Sequence, residues 1–318
     1  MAFLCDDSVM QPYGTSVRIL GKSLHHDWST LGMHIRNFLF YFGCGVVLMG
    51  ASSGFSQQAA QAPLPDIREL MRQVQEHQKQ LDLIRENYTY TSYQVVQDVD
   101  ENGQVKKTES SEYNDFFVNG HIIERKIKSN DKPLDANQDH KETERVTKLI
   151  AKAEKTPRDQ SLEGPSISIS RVLDIMDVRN ERRELYRGDP TIVFDFVGRK
   201  NAKTHGLAED ASKKLQGTIW INEADRQVVH LEVTFYDNFR LVGGILATVQ
   251  KGSSFRFDQS KVNGEIWLPT GGEGTVEARL LLLKKLRQHF RERDYDFQRF
   301  KVATQLTKDA KIKPEAQK

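Results

Sequence analysis

From Asn87 onward the apolar residues of this chain recur with a period of two. Three Asn-Gly pairs, Asn102-Gly103, Asn119-Gly120 and Asn263-Gly264, fall between the alternating runs. Asn and Gly tolerate the positive φ angles of a tight hairpin, so each pair predicts two neighbouring strands running antiparallel. Tyr88, Tyr90 and Ser92 open the first strand, and Thr191 to Val197 is a nearly continuous apolar run. Gln216 to Asn222 follows, then Val228 to Phe235, where Val229, Leu231, Val233 and Phe235 share one face and His230, Glu232 and Thr234 the other. Phe255 and Phe257 share a face, as do Val276, Ala278 and Leu280, and Tyr295 to Val302 closes the series.

A sheet of many strands with one apolar face needs a cover. Asp66, with Glu69 three residues on, has the spacing of a capping box. Ile67, Leu70, Met71, Val74, Leu81 and Ile84 then form a helical stripe over 66–86. Ser168 to Asp177 reads as a second, short amphipathic helix capped by Ser168 or Ser170. The expectation is an α+β protein: helices layered on an antiparallel sheet, or a strongly curved sheet wrapping them. Between the strands, 131–160 is a charged insert, and Lys141 to Lys155 is expected to be a solvated helix or a loop.

Ahead of this domain, Phe38 to Phe55 carries no charge, Arg36 precedes it, and Ala51, Ser52, Ser53 and Gly54 close it. This is the order of a secretory signal, expected to span 33–56 with cleavage after Ser56. Translation then starts at Met33, 1–32 is an extension ahead of the signal, 57–65 is a linker, 66–306 the domain and 307–318 a polar tail. The competing reading is a membrane anchor, for which 18 apolar residues barely suffice. Cys44 lies inside the apolar run rather than at its end, which argues against lipidation. The only other cysteine is Cys5, so the domain has none.

Composition and motifs narrow the chemistry. A net charge of +2 argues against a nucleic-acid partner. Asp98, Asp100, Asn102, Gly103 and Glu109 match a calcium-loop pattern, but a true loop needs a helix on each side. Here the flanks are strand-like, and Lys106 falls at a ligand position. A hairpin accounts for the same letters. No Gly-x-Ser-x-Gly elbow occurs within 66–306, and His77, His121, His140, His205, His230 and His289 form no zinc-binding spacing. His230, on the polar side of its strand, reads as solvated. Glu223 and Asp225 read as turn residues, and Gly271-Gly272-Glu273-Gly274 as a bulge or strand break. No catalytic constellation, metal site or cofactor is expected, and the chain reads as a non-enzyme.

Gly217-Thr218-Ile219-Trp220-Ile221-Asn222, then Val228 to Glu232, then Phe255 with Trp267-Leu268-Pro269, then Tyr295 to Phe300, resemble the outer-membrane lipoprotein-sorting proteins. The order of signal, long helix, hairpins, second helix and further strands is similar too. The resemblance implies an incomplete antiparallel barrel closed by helices over an apolar cavity, in a periplasmic carrier of lipid or lipoprotein acyl chains. The charged insert departs from that pattern, and no residue-level site carries over. From alternation alone, the candidate ligand-facing residues are Ile67, Leu70, Met71, Val74, Ile219, Ile221, Val229, Leu231, Val233, Phe255 and Phe257. The alternatives are a regulatory or scaffold module of the envelope that docks a protein partner, and, third, a hydrolase.

Overall fold

The computed structural model describes residues 63–158, 160, 162, 169–241, 247–280 and 284–300. The segments expected to be an extension, a signal and a tail, most of the expected linker, and both cysteines lie outside them. Strands run β1 Tyr88–Val99, β2 Val105–Val118, β3 His121–Ser129, β4 Lys132–Pro133, β5 Met176–Tyr186, β6 Asp189–Gly198, β7 Leu215–Asn222, β8 Gln227–Phe235, β9 Phe239–Leu241, β10 Ala247–Val249, β11 Ser254–Val262, β12 Ile266–Leu280 and β13 Lys284–Arg299. Helices are α1 Ile67–Arg85, α2 Ala136–Ala153, α3 Ile169–Ile175 and α4 Leu207–Ser212.

The strands form one 13-stranded sheet in the order β4-β3-β2-β1-β13-β12-β11-β8-β7-β6-β5, with β10 added to β12 and β9 to β10. Its ladders are antiparallel. The path ends at β4 and β5 without joining them, so the sheet is not closed into a barrel. At the β5 edge a bulge between Arg179 and Arg182 interrupts the ladder, which blunts the edge against further pairing.

The turns follow the expected chemistry. Asn119-Gly120 (φ 50° and 78°) and Asn263-Gly264 (φ 52° and 70°) put both central residues at positive φ, the type I′ geometry that matches strand twist. Asn102-Gly103 sits in a longer loop, in which Asp100 Oδ1 accepts from the backbone N–H groups of Asn102 and Gln104, each at 2.9 Å. Turns at Asn130-Asp131 and Arg187-Gly188 have the same positive angles without the Asn-Gly signature.

Three expectations need correction. The closing strand, read as Tyr295 to Val302, is β13, and it begins at Lys284 and ends at Arg299. It pairs β1 on one side and β12 on the other, joining the two halves of the sheet. The charged insert is not merely solvated. The Asp135–Gln138 capping box starts α2, which packs Val146, Leu149, Ile150 and Ala153 on Phe116, Val118 and Ile123. Phe116 and Val118 alternate with Asp115, the partner of Tyr90, so α2 lies on the sheet face opposite α1. Of the two readings of Gly271 to Gly274, a bulge or a strand break, only the break fails. The segment lies within β12, beside a bulge where Asp258 pairs with Gly271 but Gln259 with Pro269.

Candidate functional site

The helix-facing surface is built in rows, because residues paired across antiparallel strands point the same way. One row runs Phe194, Ile219, Leu231, Phe257 across β6, β7, β8 and β11. A second runs Phe196, Gly217, Val233, Phe255, Gly274, Phe290 and continues through β12 to β13. Ile192, Ile221 and Val228 form a third. In the second row the glycines make room for rings. A Cβ at Gly217 would stand 2.7 Å from Phe196 Cζ, and one at Gly274 2.5 Å from Phe290 Cζ. Phe255 stacks on Phe290 at 5.8 Å and on Phe257 at 6.5 Å.

Ile67, Leu70, Met71 and Val74 of α1 recur at the spacing of one helix face. They meet this floor in a single cluster with Leu173 of α3, Ile192, Phe194, Ile219, Ile221, Val228, Leu231, Phe255 and Phe257. Leu70, Val74, Ile192, Ile221 and Val228 are 0% exposed. Val178, Phe196, Val233 and Phe290 pack against its margin and are only partly buried. Full burial of each large apolar side chain contributes roughly 1.5–3 kcal/mol, so this contact is a principal stabiliser of the domain.

All but one of the candidate residues therefore converge, with Val233 at the margin. The exception is Val229. Trp220 pairs with His230 and Ile221 with Val228, so Val229 is the extra residue of a bulge. It is buried but lies outside the cluster, and Val228 takes the place expected for it. Ile192, Phe194, Val228 and Leu173 were not anticipated. The apolar run Thr191 to Val197 signalled the first two.

The opposite face of the same strands is charged and aromatic. His230 is 7% exposed, not solvated as expected. It stacks on Tyr186 at 4.8 Å and lies 4.7 Å from Trp220. Its Nδ1 is 2.9 Å from Asp258 Oδ1 and its Nε2 3.2 Å from Glu232 Oε1. The Tyr186 hydroxyl also donates to Asp258, and Arg187 pairs with Asp258 at 3.1 Å. Trp220 Nε1 donates to Glu184 at 3.1 Å. Burial opposes the charged imidazole of His230, but its bonds to Asp258 and Glu232 outweigh that and move its pKa above the ordinary 6.5. Burial likewise opposes ionisation of Asp258, yet the bonds from His230 and Tyr186 hold its carboxyl below the ordinary 3.8. Both imidazole nitrogens are committed to carboxylates, so the cluster ties β5, β8 and β11 together.

Beside it on this face lies an open trough of about 420 Å³, lined among others by Val95, Glu232, Arg256, Glu273, His289 and Arg291. Arg256 and Arg291 flank Glu273 at 2.7 and 3.4 Å.

The calcium-like letters occupy the β1–β2 hairpin, and Lys106 Nζ sits 2.9 Å from Asp100 Oδ2, where a cation would compete with it. Among the described residues no group of three or more His, Cys, Asp and Glu side chains is placed to hold a metal, and no helix is long and apolar enough to cross a membrane.

No protein-family model matches the chain, and no curated protein does. Solved structures do. One, described as an outer membrane lipoprotein-sorting protein domain from Vibrio parahaemolyticus, is 13% identical, with 72% of this chain and 93% of that one covered and a TM-score of 0.32. A DUF1329 family protein from Desulfovibrio piger is 11% identical over 72% and 94%, at 0.27. A LolA superfamily protein from Nitrosomonas europaea is 12% identical over 70% and 91%, at 0.26. A protein described in the terms of the family that the Gly217–Phe300 motifs resemble is among these matches.

Proposed function

We propose that this chain is an exported envelope protein that holds an apolar chain, of a lipid or a lipoprotein, against the helix-facing floor, with α1 and α3 as a displaceable roof. The observation that carries this reading is the second row. From Phe196 to Phe290 it crosses six strands, about 24 Å at the usual strand spacing. Its margin at Val178, Phe196, Val233 and Phe290 is left partly open by the roof. An acyl chain laid along it gains about 0.8 kcal/mol per methylene removed from water. The roof residues must leave the same surface, and that cost offsets part of the gain and permits release. The reading includes no catalytic step, in keeping with the commitment of both His230 nitrogens.

A second reading draws on the tight closure of the same cluster, with Leu70, Val74, Ile192 and Ile221 at 0% exposure. In it the floor is a permanent core, and the protein is a non-catalytic envelope module that docks a protein partner.

Binding of a fluorescent acyl probe, measured alongside thermal unfolding, separates the two. For a carrier, the wild type binds saturably. Phe290→Asp, at the open margin, folds and binds at least about tenfold more weakly, since losing one aromatic anchor costs 1.4 kcal/mol or more. Leu231→Asp, beneath the roof, tests how readily the roof lifts, because a closed floor would bury its carboxylate unpaired and unfold the domain. A folded wild type that takes up no probe would sink the carrier reading and leave the docking module.

A further inference from the structure

Every outward position of β13 from 285 to 293 is basic: Lys285, Arg287, His289, Arg291 and Arg293. The alternating residues Leu286 and Phe290 pack toward the helix-facing clusters, which fixes the direction of the stripe. It extends for about 27 Å of strand. Lys285, His289, Arg291 and Arg293 are exposed, and Arg287 is half-buried.

The two sides of the stripe differ. On the β1 side, Arg293, Arg291 and His289 face Tyr93, Val95 and Gln97, none of them acidic. On the β12 side, Glu273 and Glu277 hold Arg291 and Arg287 at 3.4 and 2.9 Å, and Arg279 stands opposite Lys285. Lys285 reaches Glu101 at 2.6 Å, with both side chains more than two-thirds exposed. Pairs this exposed are weak and yield to a stronger anion. Glu273 also gathers Arg256 and Arg291 at the rim of the 420 Å³ trough, with His289, Thr275 and Ser254 in its lining. Guanidinium forks around an open, hydroxyl-lined depression suit a phosphate ester.

We infer that the outward face of β11–β12–β13 is a docking surface for an anionic phospholipid bilayer. The β13 stripe lies along the headgroups, and the Arg256–Arg291 trough takes one phosphodiester. A bilayer is the occupant because the stripe is long, linear and single-signed, and four of its five cations are exposed rather than seated in pockets. Protein interfaces concentrate their energy in side chains buried in pockets of the partner, whereas docking on headgroups needs no such pocket and strengthens with each exposed cation. The inference goes beyond the acyl-binding reading and is independent of what lies beneath α1.

The test is co-sedimentation of the full chain with phosphatidylglycerol and with phosphatidylcholine vesicles carrying identical acyl chains. Any contribution from apolar binding is then common to both, and only the headgroup preference is read. The wild type is expected to prefer phosphatidylglycerol, and the preference to fade in high salt. Arg291→Glu with Arg293→Glu should reduce it at least about tenfold. Lys148→Glu with Lys152→Glu makes the same change in net charge at exposed positions of α2 and should leave it intact. Should the reversal fail to fold, Arg291→Gln with Arg293→Gln carries the same test with a smaller loss. No headgroup preference in the wild type, or equal losses in the β13 and α2 variants, would overturn the inference. So would capture by an acidic polypeptide such as polyglutamate with indifference to vesicles, which would make the stripe a protein-docking surface instead.

Discussion

Strands β6, β7, β8 and β11 carry two surfaces that differ in every respect except their backbone. Leu231 and His230 are neighbours in sequence and both are nearly buried. Leu231 joins a dry cluster of aliphatic and aromatic side chains under α1, while His230 sits between two rings and two carboxylates. One face is held by removal of apolar area from water, which is additive, undirected and insensitive to pH. The other is held by directed hydrogen bonds to carboxylates, whose value changes when either partner changes its charge. A single sheet can thus anchor a roof with one side and keep the other polar and available to charged partners.

The largest effects should come from the apolar side. Leu70→Ala removes a fully buried side chain from the centre of the α1 contact and should cost about 2–5 kcal/mol in chemical denaturation. If it cost no more than a surface substitution, the floor would not be the principal stabiliser and the contrast between the faces would collapse. Gly217→Ala probes the same side through space rather than loss, because its Cβ would stand 2.0 Å from the Glu232 carbonyl oxygen. A clear fall in melting temperature is expected, and a neutral result would mean that the β7–β8 pair gives way easily.

On the other face, Tyr186→Phe removes a hydroxyl that donates to the Asp258 carboxylate and should cost about 1.5–3 kcal/mol near neutral pH. The His230 network also predicts a pH signature that the apolar face lacks. Its imidazolium is favoured by folding, so its stabilisation is complete below 6.5 and is lost as pH rises through the higher folded value. Asp258 behaves in the opposite sense, its contribution being present above 3.8 and lost as pH falls through its lowered value. Melting temperature followed across pH should therefore decline on the alkaline side of 6.5, and His230→Gln should flatten that decline. An unchanged profile would mean that the imidazole stays neutral between its two carboxylates.

The smallest effect belongs to the exposed ladder. Arg256→Ala breaks a half-exposed pair with Glu273 and should change stability by no more than about 1 kcal/mol. A larger loss would show that the outward charges act as a cooperative network rather than as solvated pairs, and would narrow the difference between the two faces.

The errors of the sequence reading have a common physical origin. Lys284 to Asp294 carries no strand signal of its own, because its outward positions are basic and its inward ones include Gln288, Glu292 and Asp294. Alternation of apolar with polar residues vanishes when both faces are polar, and only the pairing of β13 with β1 and β12 makes the segment a strand. The helix of the charged insert was legible, but its contact with Phe116, Val118 and Ile123 was not. Four apolar residues among many charges announce a buried face only once a partner surface is known. The burial of His230 is not legible locally, because the Tyr186 and Trp220 rings that shield it come from β5 and β7, 44 and 10 residues away in sequence.

What the sequence determined alone is local and periodic. The period-two runs and Asn-Gly pairs dictated antiparallel hairpins, and the spacing of Ile67, Leu70, Met71 and Val74 dictated one apolar face on α1. These rest on steric limits of φ and on the geometry of a single helix or strand, which need no distant partner. What only the tertiary structure decided is phase and neighbourhood. The bulge at Val229 reassigns the floor from Val229 to Val228, because one inserted residue inverts the facing of all that precede it. The strand order brings β13 between β1 and β12 and turns its outward residues into a basic stripe. A bulge and a strand order arise from the energy of the whole sheet, to which each residue contributes too little to be read singly.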